Sequence, residues 1–251
     1  YKRQMLDLSF QINNKQKKGE VNIRTVVNLP GGTGKNVKVA VGVGTDKAVS
    51  PLNTYGATKL LMEKLFVSAN SFLDSKKYNT KFIALRYGNV LGSSGSVLPK
   101  FIELSKNKQK ITITNSNMTR FSLTMDEALD FILDSTFLGN GSEVFVPKLK
   151  SYSIMDLKNS VSELVNYTPH TITSIRPGEK LHETLINYDE ARYTWEFNDT
   201  YIIFNPLKSE SEIKKQYPGI KKVKFSESYS SDMVKKISQN ELTEIIKTKY
   251  L

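Results

Sequence analysis

Short apolar runs alternate with amphipathic stretches from about residue 36 onward, and this alternation predicts an α/β protein. The run 37–43 is rich in β-branched residues and lies between polar residues and a glycine, which is typical of a buried parallel strand. The run 82–87 predicts the next strand. The stretch between them predicts a helix whose apolar residues share one face, namely Leu61, Leu65, Ala69 and Phe72. Strand, helix and strand in this order predict a crossover between parallel strands of one sheet.

The second half of the chain continues the same alternation. Thr124 and Glu127 form a capping-box pattern, which predicts a helix from Met125 to about Phe137. Ser153 is placed to cap a further helix, whose predicted buried stripe is Leu157, Val161, Leu164 and Val165. The remaining predicted elements are strands at 143–146, 171–175 and 201–204 and a last helix around 241–249.

The first 35 residues differ from the rest of the chain. They are polar up to Glu20, and the run 23–29 then predicts a strand before a glycine-rich stretch. A glycine-rich turn after a strand can present backbone N–H groups to a pyrophosphate, which makes Gly31, Gly32 and Gly34 candidate phosphate-binding residues. The corresponding fingerprint needs a helix after the glycines, whereas another apolar strand follows here. A plain loop is therefore an equally good interpretation.

Composition narrows the class of protein. With 251 residues, 39% of them hydrophobic, the chain can bury a sizeable core. The absence of cysteine excludes disulfides, thiolate metal ligands and a catalytic thiol, and with two histidines no metal site is expected. The net charge of +11 comes from scattered lysines rather than from a basic stripe with interleaved aromatic residues, so we expect no nucleic-acid partner. Because the sequence shows neither a long apolar stretch nor a secretion signal, we expect a soluble cytoplasmic protein without membrane insertion.

Tyr55 and Lys59 are four residues apart at the predicted start of a helix, so their side chains project from the same face. A nearby ammonium group favours the phenolate form and lowers the pKa of a tyrosine, which would make Tyr55 a base for a hydroxyl group. The spacing alone also fits an ordinary pair on a helix surface.

Asp46 and Lys47 directly follow the predicted strand 37–43. Loops at the carboxyl ends of parallel strands hold the ligands of open α/β sheets, so this pair is expected to face the same crevice as Tyr55. A carboxyl group and an amine held side by side can divide acid and base work between them. An Asp-Lys turn on the surface is the alternative.

Six motifs follow one another in a fixed order: TDKAVSPLNTYGATK at 45–59, RYGNVLGS at 86–93, NMTRF at 117–121, FVPK at 145–148, RPGEKLHE at 176–183 and SESYSSD at 226–232. Together they resemble the UDP-N-acetylglucosamine 4,6-dehydratases, within the extended short-chain dehydrogenase/reductase superfamily. The resemblance covers residues 36–251. Tyrosine at position 55, together with residues 118–121, most resembles the inverting branch, which carries out the first step toward pseudaminic acid.

This resemblance implies a fold, a domain division and an activity. The fold is a Rossmann-like, doubly wound parallel sheet with a smaller C-terminal α/β substrate-binding domain. Residues 36–146 would form the catalytic part, with a substrate loop at 88–120, residues 147–251 mainly the C-terminal domain, and residues 1–35 a remnant of the dinucleotide-binding half. The implied activity is an NAD- or NADP-dependent hydro-lyase acting on a UDP-sugar for bacterial surface or flagellar glycans, in a homo-oligomer.

The resemblance also implies the roles of individual residues. Tyr55, assisted by Lys59, would take the proton of the sugar C4 hydroxyl during hydride transfer. Lys47 would remove the C5 proton while Asp46 protonates the departing C6 hydroxyl. Thr45, Tyr55 and Lys59 would contact the cofactor, together with the three glycines of the head. The implied substrate contacts are Asn89, Arg120, Arg176 and Glu179, for each of which a structural salt bridge or turn hydrogen bond is the alternative.

The chain departs from this family at its beginning. Only 44 residues precede Thr45, whereas several βα units, on the order of 120 residues, are expected there. Either the sequence omits a segment, or the chain is naturally truncated, or the head is unrelated. We favour the first explanation, because a half-sheet would expose long unpaired edges. The alternatives to a dehydratase are a sugar-nucleotide 4-epimerase, which would use Tyr55 and Lys59 but not the Asp46–Lys47 pair, and a non-catalytic binding protein with the same fold.

Overall fold

The computed structural model describes residues 25–29, 37–72, 80–223 and 227–251. The predicted phosphate-binding glycines, Gly31, Gly32 and Gly34, lie outside the described residues. The same holds for most of the head assigned to residues 1–35 and for the first residue of the motif at 226–232.

The described residues form strands and helices in the alternation that the sequence predicts. The strands are β1 Thr25–Leu29, β2 Val37–Val43, β3 Thr80–Leu85, β4 Ile111–Ile113, β5 Thr119–Phe121, β6 Val144–Pro147, β7 Ser151–Ser153, β8 His170–Ile172, β9 Thr184–Ile186, β10 Thr194–Phe197, β11 Thr200–Ile203, β12 Lys221–Lys222 and β13 Tyr229–Ser230. The helices are α1 Thr54–Phe72, α2 Val97–Lys106, α3 Met125–Leu138, α4 Ile154–Leu164, α5 Tyr188–Ala191, α6 Glu210–Gln216 and α7 Gln239–Tyr250.

A seven-stranded sheet in the order β1-β2-β3-β6-β11-β10-β12 forms the centre of the molecule. The pairs β2–β3 and β3–β6 are parallel, which confirms the predicted crossover through α1. The outer strands are antiparallel, so the sheet is parallel only at its centre. For β1 and β2 the reason is chain length: seven residues separate them, and a parallel pair needs a connection of a dozen or more.

Residues 147–251 contribute strands to the large sheet and to three small sheets. β10, β11 and β12 extend the sheet of the predicted catalytic part, whereas β8 and β9 pair in small sheets with β4 and β13. β7 pairs likewise with β5. The division at residue 147 into a catalytic part and a substrate-binding domain stays a prediction.

Local signals in the sequence explain several helix positions. Thr124 and Glu127 form the predicted capping box at the start of α3, and Ser153 caps α4 through the backbone N–H of Asp156. Leu157 and Val161 of the predicted α4 stripe are fully buried. In α1, by contrast, Leu61, Leu65 and Phe72 are exposed to solvent, and the helix packs through its opposite side. None of the helices in the described ranges is both long and apolar enough to cross a membrane.

Candidate active site

The site begins where β2 ends. The backbone N–H of Gly44 donates to the carbonyl of Leu85 on the neighbouring strand, at 2.7 Å. A side chain at position 44 would lie 2.6 Å from that oxygen, so the close approach requires glycine. Residues Asp46–Ala48 then form one short 3-10 turn that Thr45 caps. The two strands therefore fix the backbone that carries Asp46 and Lys47 at the carboxyl edge of the sheet.

Asp46 is completely buried. Its Oδ1 atom accepts hydrogen bonds from the hydroxyl group of Thr45 at 2.7 Å and from Lys47 Nζ at 3.0 Å. Its second oxygen, Oδ2, has no hydrogen-bond partner among the described residues. A buried carboxyl oxygen without a partner is costly, and such atoms are typical of sites that bind or react with something else.

Lys47 lies between three oxygen acceptors. Its Nζ atom donates to Asp46 Oδ1, to Asn89 Oδ1 at 3.3 Å and to Glu183 Oε1 at 3.5 Å. An ammonium group has three N–H donors, so this arrangement can use all of them. Burial alone would lower the pKa of Lys47, but the negative charges of Asp46 and Glu183 outweigh it and raise the pKa above its ordinary value.

Arg120 stands beside this group on β5. Its guanidinium donates to the backbone carbonyls of Thr119, Leu181 and Lys180. Its Nε atom lies 3.6 Å from Glu183 Oε1, and its Nη2 atom lies 3.9 Å from Glu179 Oε1. Arg120 is thus a fixed positive charge next to the Asp46–Lys47 pair.

Lys47, Asn89, Arg120 and Glu183 line a cavity of about 680 Å³, and the buried Asp46 lies behind Lys47 without lining it. The predicted substrate contacts Asn89, Arg120, Arg176 and Glu179 all line it, which brings them together with Lys47. Cationic side chains outnumber carboxylates in the lining: Lys47, Lys100, Lys110, Arg120, Arg176 and Lys180 stand against Glu179 and Glu183. The cavity is therefore suited to an anionic ligand.

Tyr55 and Lys59 lie on the first two turns of α1, where α1 approaches the Asp46–Lys47 turn. Gly56 allows this approach, because a side chain there would lie 2.3 Å from the carbonyl oxygen of Lys47. Lys59 Nζ donates to the carbonyl of Val43 at 3.3 Å, and burial lowers the pKa of Lys59. Tyr55 is 54% exposed, and its hydroxyl group has no hydrogen-bond partner among the described residues. Neither residue lines the cavity, and no hydrogen bond joins the two in the part of the chain that the structure describes.

A buried ion network holds α1 against the rest of the site. Arg86, at the end of β3, is completely buried and donates to Glu63 of α1 at 2.9 and 2.5 Å. It also makes two hydrogen bonds of 2.8 Å to Glu190 of α5 and one to the carbonyl of Leu185. One guanidinium group thus joins the helix that carries Tyr55 to the segment that follows Glu183.

Sequence reasoning missed Glu183, Glu63 and Glu190. Glu183 belongs to the motif at 176–183, but its contact with Lys47 spans 136 residues and has no local signature. His182, in the same motif, has its ring nitrogen Nδ1 2.8 Å from the Thr119 hydroxyl. Within the described ranges, no group of three or more histidine or acidic side chains could hold a metal ion.

Comparison with known proteins identifies the family. A family model described as polysaccharide biosynthesis protein matches residues 14–205. The chain belongs to this family. It is also 40% identical over 217 residues to a UDP-N-acetylglucosamine 4,6-dehydratase (inverting) of Campylobacter jejuni strain 81-176, across 84% of this chain and 64% of that protein. The predicted resemblance to these dehydratases is confirmed.

The chain is also similar to a second curated relative and to a solved structure. A UDP-glucose 4-epimerase of Rickettsia rickettsii is 34% identical over 216 residues, across 85% of this chain and 62% of that protein. Among solved structures, the X-ray structure of Pen from Bacillus thuringiensis is 34% identical with a TM-score of 0.73, across 84% of this chain and 62% of that chain. The predicted Rossmann-like α/β fold of the extended short-chain dehydrogenase/reductases is thereby confirmed. The chain spans a little under two thirds of the length of each of these relatives.

Proposed function

We propose that this protein dehydrates UDP-N-acetylglucosamine to a UDP-4-keto-6-deoxy-N-acetylhexosamine, with NAD or NADP as cofactor. The observation that carries the proposal is the buried Asp46 carboxyl, hydrogen-bonded at 3.0 Å to Lys47, whose amine reaches the cavity. A 4,6-dehydratase needs an acid for the leaving hydroxyl and a base for the neighbouring C–H bond. The similarity to the Campylobacter jejuni dehydratase supports the same activity.

The cavity supports a nucleotide-sugar substrate. Lys47, Lys100, Lys110 and Arg176 all line it, and several cations around one cavity can bind a diphosphate between the uridine and the sugar. A guanidinium group such as that of Arg176 can contact a phosphate through two N–H groups at once. Asn89 and Arg120 lie beside Lys47 and are assigned to the sugar.

The described residues fit the nicotinamide end of the cofactor. The ammonium group of Lys59 contacts the last residue of β2, and Tyr55 lies one turn earlier on α1; a hydroxyl group and an ammonium group are suited to a ribose and to the sugar C4 hydroxyl. Thr45 is assigned to the same edge. When bound, a nicotinamide supplies a hydride acceptor for C4 and later a hydride donor for C6. The residues predicted for its phosphates, Gly31, Gly32 and Gly34, lie outside the described part.

The residues of the chain divide the proton transfers between them. Tyr55 takes the C4 hydroxyl proton, and Lys59 stabilises the phenolate. Lys47 takes the C5 proton while Asp46 protonates the C6 hydroxyl, which leaves as water; because the pKa of Lys47 is raised, its ammonium group must first give a proton to Asp46. The 3.0 Å hydrogen bond joins the two atoms between which one proton must move to give both neutral forms. Reprotonation of C5 on the opposite face would invert that centre.

A 4-epimerase is the second candidate, because a relative with that name is 34% identical. An epimerase needs Tyr55 and Lys59 but has no use for an acid and a base at C5 and C6. Keeping the carboxyl of Asp46 fully buried is costly, and the dehydratase explains that cost whereas the epimerase does not.

We further assign the protein to the cytoplasm and to a homo-oligomer, for which the exposed Leu61, Leu65 and Phe72 of α1 offer an apolar contact face.

The test is turnover of UDP-N-acetylglucosamine by the purified full-length protein with NAD or NADP, followed by NMR of the sugar. We expect a 4-keto-6-deoxy product with solvent deuterium at C5. Lys47→Met and Asp46→Asn should reduce its rate by about 10²–10⁴-fold. Lys222→Met, at an exposed lysine far from the cavity, is the matched control. Formation of UDP-N-acetylgalactosamine alone would favour the epimerase, and absence of any product together with absence of bound nicotinamide would favour the binding protein. Size-exclusion chromatography with light scattering tests the oligomer.

A further inference from the structure

Ser231 belongs to the motif at 226–232, to which the proposed mechanism gives no task. It is completely buried. Its Oγ atom accepts a hydrogen bond from the backbone N–H of Glu183 at 2.9 Å, and its own N–H donates to the carbonyl of Glu183 at 2.8 Å. This double hydrogen bond fixes the backbone of Glu183 against Ser231.

The same hydroxyl group also reaches β5. Ser231 Oγ lies 2.7 Å from the hydroxyl group of Thr119 and donates to the backbone carbonyl of Thr119 at 3.3 Å. A serine hydroxyl has one donor and two acceptor sites, so its contacts with Glu183 and Thr119 can use all three. The N–H of Thr119 donates in turn to the carbonyl of Leu181. Ser231 thus ties the chain around Glu183 to β5.

The Glu183 side chain brings this junction into the candidate site. Glu183 is 4% exposed and lines the same cavity as Lys47. Its Oε1 atom lies 3.5 Å from Lys47 Nζ and 3.6 Å from Arg120 Nε, and its Oε2 atom has no hydrogen-bond partner among the described residues. One carboxyl oxygen therefore stands between the base of the proposed reaction and a fixed guanidinium group.

Lys47 needs acceptors that other segments of the chain supply. Its side chain is 33% exposed, and a lysine amine sits on a flexible four-carbon stem. Asp46 accepts from it at 3.0 Å but lies directly before it on the same turn. The acceptors that come from elsewhere are Asn89 at 3.3 Å and Glu183 at 3.5 Å. These two oxygens fix the amine relative to the cavity.

The charge of Glu183 and the position of its oxygen have opposite consequences for the reaction. Burial lowers the pKa of Lys47, but the charges of Asp46 and Glu183 outweigh it, whereas the reaction needs the ammonium group to give up a proton. Through its charge alone, Glu183 would slow the reaction. Through its position it would speed it, because a displacement of about 1 Å of a reacting group can cost on the order of 100-fold in rate.

We propose that Ser231 is a positioning residue for the base of the reaction, because through the backbone of Glu183 it places the carboxyl oxygen that holds the Lys47 amine. Ser231 is completely buried and acts only through Glu183, and Glu183 acts through Lys47. The inference rests on the proposed dehydratase function.

The experiment measures kcat and KM of the full chain with UDP-N-acetylglucosamine and NAD or NADP, at a temperature well below the Tm of each variant. Ser231→Ala removes the acceptor of the Glu183 N–H. We expect kcat to fall about 10–100-fold. We expect KM to stay within about twofold of the wild type, because the contacts that bind the substrate are kept.

Variants of Glu183 test whether the effect passes through its side chain. Glu183→Ala should lower kcat at least as much as Ser231→Ala does, and Glu183→Gln, which keeps an acceptor oxygen, should retain more of the rate. Adding Ser231→Ala to Glu183→Ala should lower kcat by less than about twofold further, since two residues that act through one contact are not additive.

Ser230→Ala is the matched control. Ser230 is the neighbouring serine and is also buried, but its hydroxyl group donates to Asp232 at 2.6 Å rather than holding Glu183. We expect its kcat to stay within about twofold of the wild type. A fall in Ser230→Ala as large as that in Ser231→Ala would show a general effect of losing a buried hydroxyl group and would overturn the inference.

The remaining outcomes separate the inference from the proposed function. A rise of kcat in Glu183→Ala would show that charge outweighs position, and an unchanged kcat in Ser231→Ala would show that Ser231 positions nothing; either overturns the inference. Both leave the dehydratase intact, because the wild type still forms its product. A wild-type protein that forms no 4-keto-6-deoxy product would instead overturn the proposed function, and the inference with it.

Discussion

The buried network around Arg86 allows a quantitative prediction about stability. Glu63→Ala removes two hydrogen bonds, of 2.9 and 2.5 Å, between fully buried charged groups. Glu190 still contacts Arg86 through two bonds of 2.8 Å, so the guanidinium keeps one of its two carboxylate partners.

The size of the effect follows from this partial loss. Breaking a buried ion pair by removing one partner costs about 3–5 kcal/mol. Because Glu190 continues to compensate the charge of Arg86, we expect the lower end, about 3 kcal/mol. For a protein of this size each kcal/mol shifts Tm by about 2–4 °C. The expected fall in Tm is therefore roughly 6–12 °C.

The assay is thermal unfolding followed by circular dichroism or calorimetry. The control is Asp189→Ala, which removes a single exposed ion pair with Arg192, at 3.1 Å on α5. Exposed pairs contribute about 0–1 kcal/mol, so this variant should stay close to the wild type. If the Tm of Glu63→Ala falls no further than that of Asp189→Ala, the network does not hold α1 in the way described.

Three further predictions concern packing, acid stability and substrate binding. Gly56→Ala should lower Tm and reduce kcat, measured on the same sample, because the added carbon would lie 2.3 Å from the carbonyl oxygen of Lys47 and displace α1. Burial alone would raise the pKa of Glu190, but the hydrogen bonds and charge of Arg86 lower it. The stability advantage of the wild type over Glu190→Gln should thus be complete above about pH 4.3, the pKa of a glutamate in the unfolded chain. It should disappear as the pH falls through the lower pKa of Glu190 in the folded protein, and Tm measured at a series of pH values tests this. Lys110→Ala, in the cavity lining, should raise KM for the UDP-sugar about tenfold with kcat unchanged, since one charge-assisted contact is lost; an unchanged KM would argue against diphosphate binding there.

Local signals in the sequence were sufficient for much of the fold. The capping box of Thr124 and Glu127 and the stripe of Leu157 and Val161 depend on residues close together in the chain. The parallel pair β2–β3 joins residues about 42 positions apart, but the order strand, helix, strand predicts it. The antiparallel pairing of β1 with β2 could not be predicted from local signals, because it depends on which strand occupies the position next to β2 in the sheet. The solvent-facing row of Leu61, Leu65 and Phe72 shows a related limit, since periodicity gives the face of a helix but not what covers it.

The candidate site likewise contains contacts that the sequence predicts and contacts that it does not. Asp46 and Lys47 are adjacent in sequence, so their contact could be predicted together with their place at the end of a strand. The contacts of Glu183 with Lys47 and of Arg86 with Glu190 join residues more than 100 positions apart. No periodicity reports such a contact, and a buried charge is recognised only when its partners are in place. The arrangement of Tyr55 and Lys59 relative to a substrate stays a prediction.

The double hydrogen bond between Ser231 and Glu183 has a consequence for how the protein is made. Glu183 lies 136 residues after Lys47 in the chain, and Ser231 lies 48 residues further on. At a synthesis rate of about 5–20 residues per second, Lys47 leaves the ribosome roughly 10–40 seconds before Ser231. During that interval the nascent chain contains Asp46 and Lys47 but not Ser231, which holds Glu183 beside them. The cavity is consequently complete only after Ser231 has been synthesised, and a chain that stalls before residue 231 contains Asp46 and Lys47 but not the segment that holds Glu183.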